Sequence, residues 1–145
     1  MGTDIHPVVE VRVDGKWERW ARATARLHSN RNYWSFAVLV DVMNGHGFAG
    51  HYTGGPVVPI ASPRGIPKDS PETHERLGDH SWSYVTLTEL LALNMDSPVE
   101  TAEGAKPLHE IAPLLVQWIE DLRYLPSEHD GITPDDVRVV FGFDS

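Results

Sequence analysis

The stretch DIHPVVEVRVDGKWE, residues 4–18, constrains the fold more than any other part of the chain. Ile5, Val9, Val11 and Val13 point one way, with Pro7 among them. Asp4, His6, Glu10 and Arg12 point the other way, with Val8 among them. Successive side chains leave a strand on opposite sides, so this period of two predicts a strand with one buried face. Asp14-Gly15 follows as a tight turn, since glycine accepts the positive φ such turns need. Lys16 to Ala23 reads as the return strand. Trp17 and Trp20 lie three apart, which breaks the alternation and asks for a bulge.

An apolar strand face must be covered, and the rest of the chain supplies helices to do it. Phe36, Leu39, Val40 and Met43 recur at helical spacing and predict a helix over Tyr33–Asn44. Asn30 or Asn32 would cap its start, and Gly45 would stop it. Residues 45–70 hold many Gly and Pro, a long loop of the kind used for binding or as a lid. SPETHERLG, residues 70–78, predicts a short helix with Ser70 as cap, Pro71 in first position and Gly78 after its end. HSWSYV, residues 80–85, reads as extended, and Thr86 with Glu89 forms a capping box for the next helix. Residues 94–106 read as a polar connection. Leu108, Ile111, Leu115, Trp118, Ile119 and Leu122 make an amphipathic stripe that predicts a helix over 107–123, with Pro113 in its first turn or at a kink. Thr133-Pro134-Asp135-Asp136 reads as a turn or one helical turn, and VRVVFGF as an apolar strand that pairs with the N-terminal hairpin. The expected fold is α+β: an antiparallel sheet from the N-terminal hairpin and C-terminal strand, with three to four helices on one face and residues 1–145 as a single domain.

Composition removes several function classes. With 12 Lys and Arg against 21 Asp and Glu, the net charge of −9 repels nucleic acid phosphates, so non-specific binding there is not expected. A local basic pocket could still hold one small anion. There is no cysteine, hence no disulfide, thiolate metal site or cysteine nucleophile, which fits a reducing cytoplasm. No apolar run approaches the ~20 residues of a membrane span, and the start shows no signal-peptide pattern, so no membrane association is expected. The sequence has no P-loop, G-x-S-x-G or H-E-x-x-H motif.

Four polar groupings remain as candidates, each with a plain structural alternative. Asp4 and His6 share a strand face, with Glu10 further along. A carboxylate beside a neutral imidazole suits Zn, Mn or Fe, or a base with its orienter; the alternative is a solvated strand edge carrying an ion pair. Asp79-His80-Ser81-Trp82-Ser83 offers imidazole and hydroxyls to an oxyanion or phosphate; the alternative is local hydrogen bonding ahead of a helix. Arg31-Asn32-Tyr33-Trp34 places a guanidinium fork at a helix start, with Tyr33 or Trp34 to stack on a base; the alternative is a capped helix with core aromatics. Arg64, between prolines, would serve as an anion clamp or stand as an ordinary exposed arginine. His46 and His51, in the Gly-rich loop, would add metal ligands.

Several stretches, taken in order, carry a family resemblance. They are Met-Gly-x-Asp-Ile-His at Met1 to His6, Val-Asp-Gly-Lys-Trp-Glu at Val13 to Glu18, and Arg-Asn-Tyr-x-x-Phe-Ala at Arg31 to Ala37. Pro-Arg-Gly-x-Pro follows at Pro63 to Pro67, His-Ser-x-Ser at His80 to Ser83, and Thr-Leu-x-Glu-Leu at Thr86 to Leu90. The chain thereby resembles a family of small uncharacterised bacteriophage proteins over residues 1–93, with a looser match at the closing strand. It departs at Thr3, where the family has Cys, at Met43, where Arg is common, and at Trp82 and Tyr84, which change the aromatic spacing.

The resemblance implies a phage origin, action in the cytoplasm of an infected host cell, and a set of polar positions: Asp4, His6, Arg31, Asn32, Arg64, His80, Ser81 and Ser83. Gathered into one pocket, they would suit a phosphorylated or nucleotide-like ligand. The first expectation is a binding protein that sequesters a host immune signal (counter-defence), with Arg31, Asn32, Tyr33, Arg64, His80, Ser81 and Ser83 on the ligand. The second is a metal-dependent hydrolase or phosphodiesterase, with Mn or Zn on Asp4, His6 and His80. The third is an inhibitor that engages a host enzyme through the acidic surface. A homo-oligomer stays open, with no assembly seam visible in the sequence.

Overall fold

The structure, a computed structural model, describes residues 2–43 and 57–145. The predicted N-terminal hairpin forms from β1 (Asp4–Val13) and β2 (Lys16–Arg19), with Asp14 and Gly15 both at positive φ in the turn. The last strand of the chain, β6 (Val137–Asp144), pairs antiparallel with β1 from Asp4↔Asp144 to Val11↔Val137. On the other side of β6 lies β3 (His80–Thr86), giving the order β2-β1-β6-β3, antiparallel throughout. β2 covers only Glu10–Val13 of β1, so Pro7 stands where only β6 flanks the strand and a missing N–H is tolerated. The expected α+β fold is present.

The period-two pattern sorts the sheet into two faces. Ile5, Val9 and Val11 join Val85, Val137, Val139, Phe141 and Phe143 on the core side. Helices cover it: α1 (Ala21–Arg26), α2 (Tyr33–Val40), α4 (Leu87–Leu91) and α6 (Pro113–Leu122) contribute Ala23, Phe36, Leu39, Leu90, Leu115 and Trp118 among others. The opposite face is covered by residues 64–79, including the one-turn helix α3 (His74–Leu77), with Val8, Leu77 and Val140 buried together. Gly142 makes this cover fit, since a Cβ there would collide with the Leu77 carbonyl and the Trp82 ring.

That second face also holds a buried ion pair. Glu10 is fully buried; its Oε1 accepts from Arg138 Nε at 2.8 Å and its Oε2 from the Ser70 hydroxyl at 2.5 Å. The Arg138 guanidinium also donates to Asp69 at 3.0 Å and lies 3.7 Å from the centre of the Trp17 ring. Arg12 over Trp17 and Arg64 over Tyr84, at 5.1 and 5.0 Å, extend an alternation of cations and rings across the sheet.

Several local expectations are corrected. The return strand stops at Arg19, and residues 21–26 are helical, because ARATAR is rich in strong helix formers. Trp20 is then the helix N-cap residue and no bulge is needed to account for its spacing from Trp17. The second helix ends at Val40, with Asp41 in the left-handed conformation; Asn44 and Gly45 lie outside the described residues. Ser70 and Pro71 precede α3 without capping it, since the Ser70 hydroxyl serves Glu72 N–H and Glu10 instead. The polar connection contains a second small sheet, β4 (Pro98–Thr101) with β5 (Gly104–Pro107). The stripe over 107–123 is split into α5 (Leu108–Ile111) and α6 at Ala112, whose extended-side φ/ψ follows from the Pro after it. A further turn, α7 (Leu125–Glu128), precedes a 3-10 turn at Pro134–Asp136 capped by Thr133. Among the described residues, no helix is long and apolar enough to cross a membrane.

Candidate functional site

Two separate places hold the residues singled out from sequence. The first is the sheet end where β1 starts, β6 finishes and β3 starts. Asp4 accepts from Arg31 Nε at 2.7 Å and Nη2 at 3.3 Å. This hydrogen-bonded guanidinium holds the Asp4 carboxyl below the ordinary carboxylate value, and the same pairing raises Arg31. His6 Nε2 lies 2.6 Å from Asp144 Oδ2, on the strand face that Asp4 shares. Tyr33 is buried, and its hydroxyl accepts the Thr3 N–H at 3.0 Å. His80 bridges two hydroxyls, with Nδ1 2.9 Å from Ser81 Oγ and Nε2 2.8 Å from Ser145 Oγ. Ser81 has φ +56° at the irregularity in the β3–β6 pairing.

The second place is the outer side of β3. The Ser83 hydroxyl accepts the Arg64 N–H at 3.0 Å. The Arg64 guanidinium donates to both oxygens of Glu89, at 2.7 and 2.5 Å, and to the Tyr84 carbonyl at 3.0 Å. Glu89 also completes the expected capping box with Thr86. The Arg64 hydrogen bonds keep the Glu89 carboxyl below its ordinary value, and Glu89 raises Arg64 in turn.

This arrangement corrects the expectation of one pocket. Asp4, His6, Arg31, Tyr33, His80 and Ser81 do meet at one sheet end; Arg64 and Ser83 form their own group. Both arginines already have a carboxylate in a two-point grip, so neither stands ready as an anion clamp. Asn32 is structural: its Oδ1 caps α2 through Ser35 N–H, and its Nδ2 donates to the Ile111 carbonyl. Tyr33 is packed against Phe36 instead of being open for stacking. Asp4 spends its charge on Arg31, and among the described residues no group of three or more His, Asp and Glu is placed to hold a metal ion. His46 and His51 lie outside the described residues.

Two arginines that make no ion pair among the described residues, Arg22 and Arg26, sit elsewhere. α1, the end of β2 and α7 border an open surface pocket of about 660 Å³, whose charged lining side chains are exposed. Arg19, Arg22 and Arg26 line it together with Glu18, Trp20, Leu125, Glu128 and His129. Arg22 and Arg26 are one helical turn apart, on neighbouring positions of one face. Among the described residues, neither guanidinium makes an ion pair or a hydrogen bond, whereas Arg19 lies 3.6 Å from the buried Glu72. Trp20 and His129 form an edge-on ring pair with centroids 4.4 Å apart. Sequence reasoning missed this site by reading residues 20–23 as strand. The available signal was three arginines within eight residues of an acidic chain, at Arg19, Arg22 and Arg26. A second cavity, about 390 Å³, is mainly apolar and lies between Val38, Leu93, Val99 and Leu108. No family model, no curated protein and no solved structure matches this chain.

Proposed function

We propose that this chain binds and sequesters a small phosphorylated or nucleotide-like molecule, and that the phage-like character of its motifs makes a host immune signal the natural target. One observation carries the reading: the pocket beside α1 places two guanidinium groups that make no ion pair among the described residues near the Trp20–His129 ring pair, with Glu18 and Glu128 also on its lining, in a chain whose net charge is −9. Planar guanidinium forks match phosphate oxygens, and a ring beside them can take the flat part of a nucleotide. The volume is within the range of small-molecule sites. Binding without turnover is favoured because the Ser81–His80 contact faces a hydroxyl chain to Ser145 and not this cavity.

The test is equilibrium dialysis against mononucleotides, cyclic dinucleotides and cyclic ADP-ribose isomers, with and without Mn²⁺. Retained material is then released by denaturation and separated by chromatography. Intact ligand in the protein fraction, lost at least tenfold in the Arg22→Ala/Arg26→Ala variant, supports sequestration. Cleaved product that needs Mn²⁺ turns the reading to a hydrolase. No retention across the panel, or retention indifferent to the two arginines, overturns it.

A further inference from the structure

The α1 cavity presents charges of both signs that do not touch each other. Glu18 and Glu128 line it with Arg22 and Arg26, and among the described residues none of these four side chains makes an ion pair. Glu128 ends α7 and lines the cavity, and its neighbour His129 packs on Trp20. Arg22 and Arg26 stand on α1, a different element. Opposite charges that share a concavity without neutralising each other fit a ligand with two poles, one anionic and one rich in hydrogen-bond donors.

We infer that the cavity selects a nucleotide-like molecule whose ring carries an amino group, with Glu128 as the residue that reads it; this rests on the ligand-binding function proposed above. An ionised carboxylate only accepts hydrogen bonds. An amino-substituted base offers it N–H donors, in the way acidic side chains accept from the cytosine amino group in nucleic-acid recognition. An oxo-substituted base of the same shape turns lone pairs toward the carboxylate at that position and leaves only its single ring N–H to donate, where the amino base offers two N–H bonds on one nitrogen. Sites built on such a hydrogen bond reject the mismatched analogue more strongly than apolar pockets reject a size difference. The phosphate end, held by Arg22 and Arg26, is the same in both.

The experiment is a Trp fluorescence titration with matched pairs, CMP against UMP and AMP against IMP, using the full chain and its Glu128→Gln variant. The expected result is about tenfold tighter binding of the amino member in each pair, the size of one charge-assisted hydrogen bond. In Glu128→Gln the preference collapses, because the amide both donates and accepts, while the salt dependence from the arginine–phosphate contacts is unchanged. Equal affinity within the pairs, or a preference that survives Glu128→Gln, overturns the inference and leaves ligand binding standing. Absence of binding by every nucleotide in the dialysis panel removes the function itself and the inference with it. Glu18→Gln run in parallel identifies which acidic wall is responsible: a collapse confined to that variant also overturns the assignment to Glu128.

Discussion

Replacing Arg138 by methionine should be among the most damaging single changes in this protein. Arg138 is 5% exposed and supplies the cation to Glu10, which is fully buried. In Arg138→Met the Glu10 carboxylate would keep only the Ser70 hydroxyl. Methionine fills much of the same volume, so the cost comes from charge and not from a void. Removing one partner of a buried pair costs about 3–5 kcal/mol, since the remaining ion is left without compensation in a poorly solvating interior. The contact of the guanidinium with Trp17 is lost as well. For a chain of this length, that loss lowers Tm by roughly 10–15 °C. The double variant Glu10→Leu/Arg138→Met removes both charges and should recover to within about 1–2 kcal/mol of the parent. Urea denaturation followed by circular dichroism, with the slope checked for constancy, gives the three free energies. A cost below about 1 kcal/mol for Arg138→Met would refute the reasoning, as would a double variant no better than the sum of its singles.

Glu89→Gln should reduce stability by about 1 kcal/mol at neutral pH, a value kept small because the pair with Arg64 is partly solvated. The folded-state pKa of Glu89 lies below the ordinary 4.5, so its contribution is present above that value and disappears as pH falls through the lowered one. The Tm difference between parent and variant should therefore shrink below pH 4.5 and vanish at the acid end; a constant difference throughout would contradict the assignment. Asn32→Ala should cost about 1–2 kcal/mol through the lost α2 cap and the stranded Ile111 carbonyl, and leave nucleotide retention unchanged. Loss of retention in a folded Asn32→Ala protein would instead make Asn32 a ligand contact.

What could be read from the sequence was whatever local chemistry decides. The alternation from Ile5 to Val13 disclosed the core face of β1, but not that Val8 and Glu10 on its other face are buried as well, and the Thr86–Glu89 box is a self-contained hydrogen-bond pattern. The closing strand and its pairing with the N-terminal hairpin were legible from the β-rich, apolar run VRVVFGF, and the structure pairs it with β1. The break at Ala112 was harder, since the apolar stripe runs on smoothly through a chain that Pro113 divides. The site was least legible. Whether a polar residue is free depends on distant partners: Arg31 meets Asp4 across 27 residues and Arg64 meets Glu89 across 25. No spacing rule discloses that these arginines are taken and that Arg22 and Arg26 are not.

The position of β6 has a consequence for how the chain acquires its shape during synthesis. This strand is central in the sheet, yet it comes after every other element, and its buried bond to Glu10 spans 128 residues. Closing so long a loop before any reward is gained slows folding. Until residues 137–144 have left the ribosome, β1 has no strand partner along one side, and Glu10 lacks its Arg138 cation. A nascent chain stalled before that point should be held by chaperones or degraded, with little partial structure to protect it.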